Sequence, residues 1–124
     1  MVQVRIFLTS GTSWNVPADW DPADNSIELI GAGGGGGTSS GTGGTGGGGG
    51  AYAKKVNLNI SGAIPYVIGV GGQGSGLGAS ASGTDTSFNS SDILAKAGLT
   101  TADEIAGGLG GLASASVGTT KFNG

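Results

Sequence analysis

The sequence has no cysteine and no histidine. That excludes disulfides, thiolate metal sites, imidazole catalysis and histidine ligation of a metal. Charge is scarce as well: charged residues make up 10% of the chain and the net charge is −3. The five basic residues are scattered, with only Lys54 and Lys55 adjacent. No basic patch of the kind that nucleic acid requires is present. No apolar run reaches the length of a transmembrane helix, so no membrane insertion is expected. No signal peptide opens the chain, because Met1-Val2-Gln3-Val4-Arg5 already alternates like a strand. The expectation is a protein made in a cytoplasm. Disordered chains combine low hydrophobicity with high charge, and this chain has neither.

What is abundant is glycine, at 30 of 124 residues, against a usual share of about 7 per cent. Residues 31–50 are almost wholly Gly, Ser and Thr. Two readings are open. One is a flexible linker. The other is ordered, extended backbone in the left-handed, three-residue-per-turn geometry of polyproline II. The flanks favour order: Ser26-Ile27-Glu28-Leu29-Ile30 leads in, and Ala51 to Ile60 leads out, both strand-like. Long structureless loops inside a compact unit are uncommon unless functional. Every third residue from Gly31 is glycine (Gly31, Gly34, Gly37, Gly43, Gly46, Gly49), apart from Ser40. Collagen is excluded, since the stretch has no proline. Gly34 and Gly47 in this run, with Gly71 and Gly72 in the second run, are the candidate assembly residues. A Cβ would not fit there if backbones pack closely.

Along the chain, Val2, Val4, Ile6 and Leu8 alternate as a half-buried strand. Ser13 to Pro17 and Ser26 to Ile30 read as further strands. Val56, Leu58 and Ile60 alternate, and after Ser61-Gly62-Ala63 so do Ile64, Tyr66, Ile68 and Val70, which reads as a hairpin. The expected inward set is Val4, Ile6, Leu8, Trp14, Ile27, Leu29, Val56, Leu58, Ile60, Ile64 and Ile68. Ile93 to Ala97 fits either a short strand or a helical turn. Thr101-Ala102-Asp103-Glu104 fits a capping box for one short helix. Leu77 to Thr84 with Phe88-Asn89 resembles Leu112 to Thr119 with Phe122-Asn123, as two short repeats or as chance in low-complexity sequence. The fold expected is all-β: one domain over 1–124, a small antiparallel sheet or sandwich with long glycine-rich loops, polyproline-II-like where ordered. A longer native chain is compatible with the glycine pattern at Asn123-Gly124.

Chemistry-bearing motifs are thin. Gly31 to Gly36 and Gly69 to Gly74 both match G-x-G-x-x-G after a strand. The pyrophosphate-binding mechanism needs a following helix, and polyglycine does not form one. The P-loop Lys-Ser/Thr is absent. Asp19, Asp21 and Asp24 lack the spacing of a calcium loop. No nucleophile–base pair is evident, so no enzyme and no cofactor are expected. Trp14, Trp20, Tyr52 and Tyr66 could stack on sugars. Trp20, in a polar loop, is the candidate exposed aromatic, and Trp20 with Asp21 are the candidate surface contacts.

Ser10-Gly11-Thr12-Ser13-Trp14-Asn15-Val16-Pro17, then Ile27 to Gly37, is similar to the opening of glycine-rich domains in phage virion proteins. Gly46 to Tyr52, Tyr66 to Gly72 and Thr84 to Phe88 resemble that family's later landmarks. The resemblance implies a β-rich virion structural protein of a tail fibre, tail tip or related appendage. Some distal phage adhesins with such motifs stack polyproline-II-like segments and display loops between them. Two departures are visible: no attachment domain precedes the first strand, and Ala18 to Asn25 replaces a shorter turn. The implied partners are other copies of the chain, a trimer by analogy, other virion proteins and a host-surface glycan or protein. The rival classes are a carbohydrate- or surface-binding module, a capsid decoration and a linker fragment.

Overall fold

A computed structural model describes residues 3–39, 43–74, 80–101 and 106–124. Among the described residues nine short strands form antiparallel sheets, and the only helical element is a 3₁₀ turn, Ala113–Ala115. No helix among the described residues is long and apolar enough to cross a membrane. The strands are β1 (Ser13–Asn15), β2 (Ser26–Ile30), β3 (Gly37–Ser39), β4 (Gly43–Thr45), β5 (Tyr52–Val56), β6 (Ala63–Val67), β7 (Thr86–Phe88), β8 (Ile93–Ala95) and β9 (Thr120–Phe122). One sheet has the order β1-β6-β7-β8, a second β2-β5-β9, and β3 pairs β4.

The two larger sheets face each other across an apolar core. Ile27 and Leu29 of β2 alternate with exposed neighbours, which is the period-two signature of a half-buried strand. With Ala53 of β5 they meet Ile64, Tyr66, Phe88, Ile93 and Ala95 from the first sheet. Phe88 and Ile93 are the largest wholly enclosed side chains. Trp14, Val16, Trp20, Ile60 and Ile68 close the margins. This is the expected all-β architecture.

The strand partners differ from expectation in two places. Residues 3–9 belong to no strand, and Val4, Ile6 and Leu8 are exposed rather than inward. Alternation marks two faces but supplies no partner backbone; the chain turns at Gly11 (φ 94°), and pairing with β6 starts only at β1. The hairpin between 56–60 and 64–70 does not form either. Val56 is exposed, and the strand breaks at Asn57, which is left-handed (φ 55°). Leu58 remains buried, but its backbone is held by the loop before β2. Its N–H donates to Asn25 Oδ1 at 2.8 Å, and its carbonyl accepts from Trp20 Nε1 at 2.9 Å. β5 therefore pairs β2 and β9, while β6 pairs β1 and β7. Ile93–Ala95 is a strand and not a helical turn. The capping-box helix falls largely on 102–105, and the start of the first repeat on 77–79, both outside the described residues. In the second copy Ala113–Ala115 forms the 3₁₀ turn, and most of the matching positions in the first copy lie outside the described residues.

Candidate functional site

The second half of the molecule has a core made of backbone. Six extended segments lie side by side: residues 31–36, 46–51, 69–74, 80–84, 96–101 and 107–112. Their bonds recur every third residue. Gly31 N–H donates to Ala51 O and Gly34 N–H to Gly48 O, both at 2.8 Å. Ala51 N–H donates to Lys96 O at 2.8 Å and Gly48 N–H to Leu99 O at 2.9 Å. Ala81 and Thr84 donate to Gln73 and Val70, and Gly108 and Gly111 to Gly46 and Gly49. A β-strand would repeat every two residues. A three-residue repeat with only lateral bonds is the polyproline II geometry, which has no internal hydrogen bonds. Lateral pairing satisfies amides that would otherwise be buried unpaired.

The neighbours define two rows of three rods. Segment 31–36 touches 46–51, 69–74 (Gly72 N–H to Gly33 O), 80–84 (Gly35 N–H to Ala81 O) and 96–101 (Gly98 N–H to Ala32 O). Segment 96–101 in turn reaches 80–84 and 107–112. One row is thus 69–74, 31–36, 46–51, and the other is 80–84, 96–101, 107–112.

Glycine is required where rods touch. At Gly31 and Gly34 a Cβ would lie within 3.0 Å of the carbonyls of Lys96 and Leu99, closer than real Cβ atoms come. Gly50 and Gly47 stand in the same relation to Gly31 and Gly34, and Gly72 to Ala81. The linker reading of 31–50 is therefore overturned for its described residues. Of the four glycines singled out from sequence, Gly34, Gly47 and Gly72 sit at such contacts, all inside one chain. Gly71 does not: its nearest neighbour is Gly33 O at 3.9 Å. The glycines of the period noted from Gly31 are tight through Gly37, but so are Gly35 and Gly36; in 46–51 the tight positions are Gly47, Gly48 and Gly50, while Gly46 meets nothing within 4 Å among the described residues.

Each pair of rods leaves the sandwich and returns to it, and the described rod ends remote from the sandwich lie together. Gly37 lies against Thr101 Oγ1 and Thr45 Oγ1, at 2.7 and 3.2 Å from where its Cβ would be, with Ser80 Oγ at 3.9 Å. Ser80 Oγ and Thr100 Oγ1 share a hydrogen bond, and Thr100 Oγ1 also donates to Gly35 O at 3.2 Å. Ser82 Oγ accepts Thr100 N–H at 3.0 Å. Thr45 Oγ1 is buried without a partner among the described residues. The β3–β4 ladder caps this end. Its described residues carry hydroxyls, amides and bare backbone, and no charge.

Charge sits at the other end. Lys54 Nζ pairs Glu28 at 3.1 Å, and hydrogen bonding to Lys54 holds the Glu28 carboxyl below its ordinary range. Burial raises the Tyr52 phenol. Asp85 fastens the rods to the sheets: it pairs Lys96, and its Oδ1 accepts Ala97 N–H at 2.8 Å. Burial pushes Asp85 up, but the Lys96 and Ala97 hydrogen bonds outweigh it, and its pKa is lowered.

Trp20 and Asp21 lie beside Leu58, at the end of β2 remote from Gly31. Trp20 is only half-exposed: its N–H is committed to Leu58 O, and its ring meets Trp14 edge-on at 5.5 Å. A buried indole N–H needs an acceptor, and that need draws Trp20 inward. Asp21 is exposed, with Oδ1 accepting Ala23 N–H at 2.8 Å. The structure does not bring this pair together with the candidate glycines. Among the described residues no three carboxylates converge on a metal-sized site. Sequence reasoning missed the rods at 80–84, 96–101 and 107–112. Their signal was weak: small residues such as Gly108 and Gly111 at a spacing of three.

Comparison with known proteins bears on this architecture. Residues 8–124 match the model of a glycine-rich domain. The chain belongs to that glycine-rich domain family. No curated protein and no solved structure matches it. The family match takes in both sheets and all six rods, so the glycine-rich domain is the sandwich and the bundle together.

Proposed function

We propose that this glycine-rich domain is a non-catalytic structural subunit of a phage virion appendage, a tail fibre or tail tip. In this role it is made in the host cytoplasm, incorporated into the particle, and holds its loop-bearing end toward the host surface. The observation that carries the reading is the meeting of the described rod ends, Gly37, Thr45, Gly74, Ser80 and Thr101, at one end, opposite the sandwich. Laterally bonded rods are a stiff way to present short loops, because each is held by backbone bonds rather than by side chains alone. The hydroxyl- and amide-rich end suits hydrogen bonding to a surface glycan or protein. The resemblance of Ser10 to Pro17 and Ile27 to Gly37 to phage virion domains supports the phage assignment. The outer edges of β2 and β9 have no partner strand among the described residues, and open edges favour pairing between copies. A homo-oligomer follows, a trimer by analogy with fibres, together with contacts to other virion proteins.

Mass spectrometry and immunogold labelling of purified particles test the reading. The chain should be abundant, with label on an appendage, and the purified protein should slow adsorption of particles to host cells. Absence from particles would overturn it. The second reading, a carbohydrate- or surface-binding module outside the virion, is favoured by the same hydroxyl-bearing end. It predicts glycan binding with no chain in the particle. Label on the head would instead mark a capsid decoration.

A further inference from the structure

The outer face of the β2-β5-β9 sheet carries an apolar row beside a polar one. Alternation turns Ile27, Leu29 and Ala53 into the sandwich. Glu28, Ile30, Tyr52 and Lys54 therefore point outward, with Thr120 and Phe122 of β9. The register sets Ile30 opposite Tyr52 and Tyr52 opposite Phe122, one row across all three strands. It sets Glu28 opposite Lys54 and Lys54 opposite Thr120 in the row beside it. Ile30 is 70% exposed and Phe122 61%. The Tyr52 and Phe122 rings lie 5.8 Å apart, tilted by 34°.

The polar row is already ordered. Lys54 Nζ lies 3.1 Å from Glu28 Oε1, and the Tyr52 hydroxyl also donates to the Glu28 carboxylate. The bond from Lys54 lowers the Glu28 pKa most, burial opposes it, and the bond from Tyr52 adds to the lowering. Glu28 is thus held as an ionised acceptor, with Lys54 as a donor beside it. Acceptor, donor and rings stand on adjacent strands, which fixes their spacing.

This pairing of rows selects among ligands. Neighbouring strands are about 4.8 Å apart, and residues on one face are about 7 Å apart along a strand. The two rows therefore span a patch of roughly 10 by 7 Å. A stable protein interface takes roughly 800 Å² from each partner, several times more. A purely apolar ligand would desolvate the Glu28–Lys54 pair with nothing in return. A neutral sugar ring matches both rows. Its C–H groups carry slight positive charge and rest on aromatic faces, while its hydroxyls donate to Glu28 and accept from Lys54.

We infer that the outer face of β2-β5-β9 is a binding site for a neutral pyranose of a glycan chain, stacked on Tyr52 and Phe122 and hydrogen-bonded to Glu28 and Lys54. The site lies on the flank of the sandwich, apart from the loop-bearing end, so the inference goes beyond the proposed function and does not rest on it. The face is shallow, and a single ring binds it in the millimolar range.

The test is an NMR titration of the whole domain with linear trisaccharides of glucose, galactose, mannose and N-acetylglucosamine. At least one should give saturable shifts of the Ile30, Tyr52, Lys54 and Phe122 amides and of the two rings. Phe122→Ala should weaken that binding about tenfold, the loss of one stacking contact. Glu28→Ala should weaken it about as much. Both side chains project into solvent, so both variants should stay folded, with wild-type spectra away from this face. Shifts with none of the four sugars, shifts confined to the loop-bearing end around Gly37 and Thr45, or full affinity in both variants would overturn the inference. So would shifts at these residues that follow protein concentration without sugar, since the face would then be a contact between copies.

Discussion

The sandwich and the rod bundle are two solutions to one problem, set in one chain. In the sandwich, Phe88, Ile93, Ile64 and Leu58 exclude water with side-chain volume. In the bundle the enclosed positions are Gly31, Gly35, Gly48, Gly98 and Gly111 with the small Ala51 and Ala97, and backbone packs on backbone. The difference lies in what each tolerates. A side-chain core can repack around a change of shape. A backbone core has no rotamers to adjust, so a single added methyl meets a carbonyl that cannot move alone. Glycine carries an entropic cost of roughly 0.5–1 kcal/mol against alanine in regular structure, and lateral hydrogen bonds worth about 0.5–1.5 kcal/mol each offset it.

The sharpest way to break the comparison is at a rod contact. Gly34→Val should cost more than the ~3 kcal/mol upper range of ordinary overpacking and leave little folded protein, read by circular dichroism and denaturant titration. A stable Gly34→Val would refute the packed bundle. Next in size, Phe88→Ala should cost about 3–5 kcal/mol by leaving a cavity between the sheets. The same titration measures it, and a much smaller loss would mean the sandwich is not the side-chain core.

A smaller effect is expected where side chain replaces sheet pairing. Asn25 serves both polar groups of Leu58, with Nδ2 donating to its carbonyl at 3.0 Å and Oδ1 accepting its N–H. Asn25→Ala should cost about 1–3 kcal/mol, the range for leaving a buried backbone group unpaired. Hydrogen exchange at Leu58 should rise with it; unchanged protection would show that water substitutes fully.

Asp85 joins the two halves, and its effect depends on pH. Its folded pKa is lowered, so the stability it adds is present above the unfolded value and is lost as pH falls through the folded one. The Tm of wild type should drop through the acid range more than that of Asp85→Asn, which should be lower than wild type near neutral pH. Parallel Tm–pH curves would show that the Asp85 contacts are too solvent-screened to matter. The smallest effect belongs to Gly71→Ala, which should stay within about 0.5 kcal/mol, in contrast to its neighbour Gly72. Equal damage at both positions would erase the distinction between facing and outward glycines.

Much of the sandwich was legible in the sequence. β1, β2 and the inward faces of Ile27, Leu29, Ile64 and Leu58 follow from alternation. Partners were not legible, because alternation describes one strand and pairing is settled by what lies opposite. So residues 3–9, despite their period-two pattern, join no sheet, and Leu58 is held by Asn25 and Trp20 instead of by a strand.

The glycine run was legible as a choice between tether and packed extended backbone. Composition determined the rest of what sequence alone could say: no cysteine or histidine chemistry, little charge and a β-rich domain. Which glycines are indispensable was decided only by the tertiary structure. Gly71 and Gly72 are identical in the sequence, yet a Cβ at one would rest in ordinary contact with the Gly33 carbonyl and at the other would collide with the Ala81 carbonyl. A residue without a side chain carries no polarity or size by which to read its facing; only the position of the next backbone supplies it.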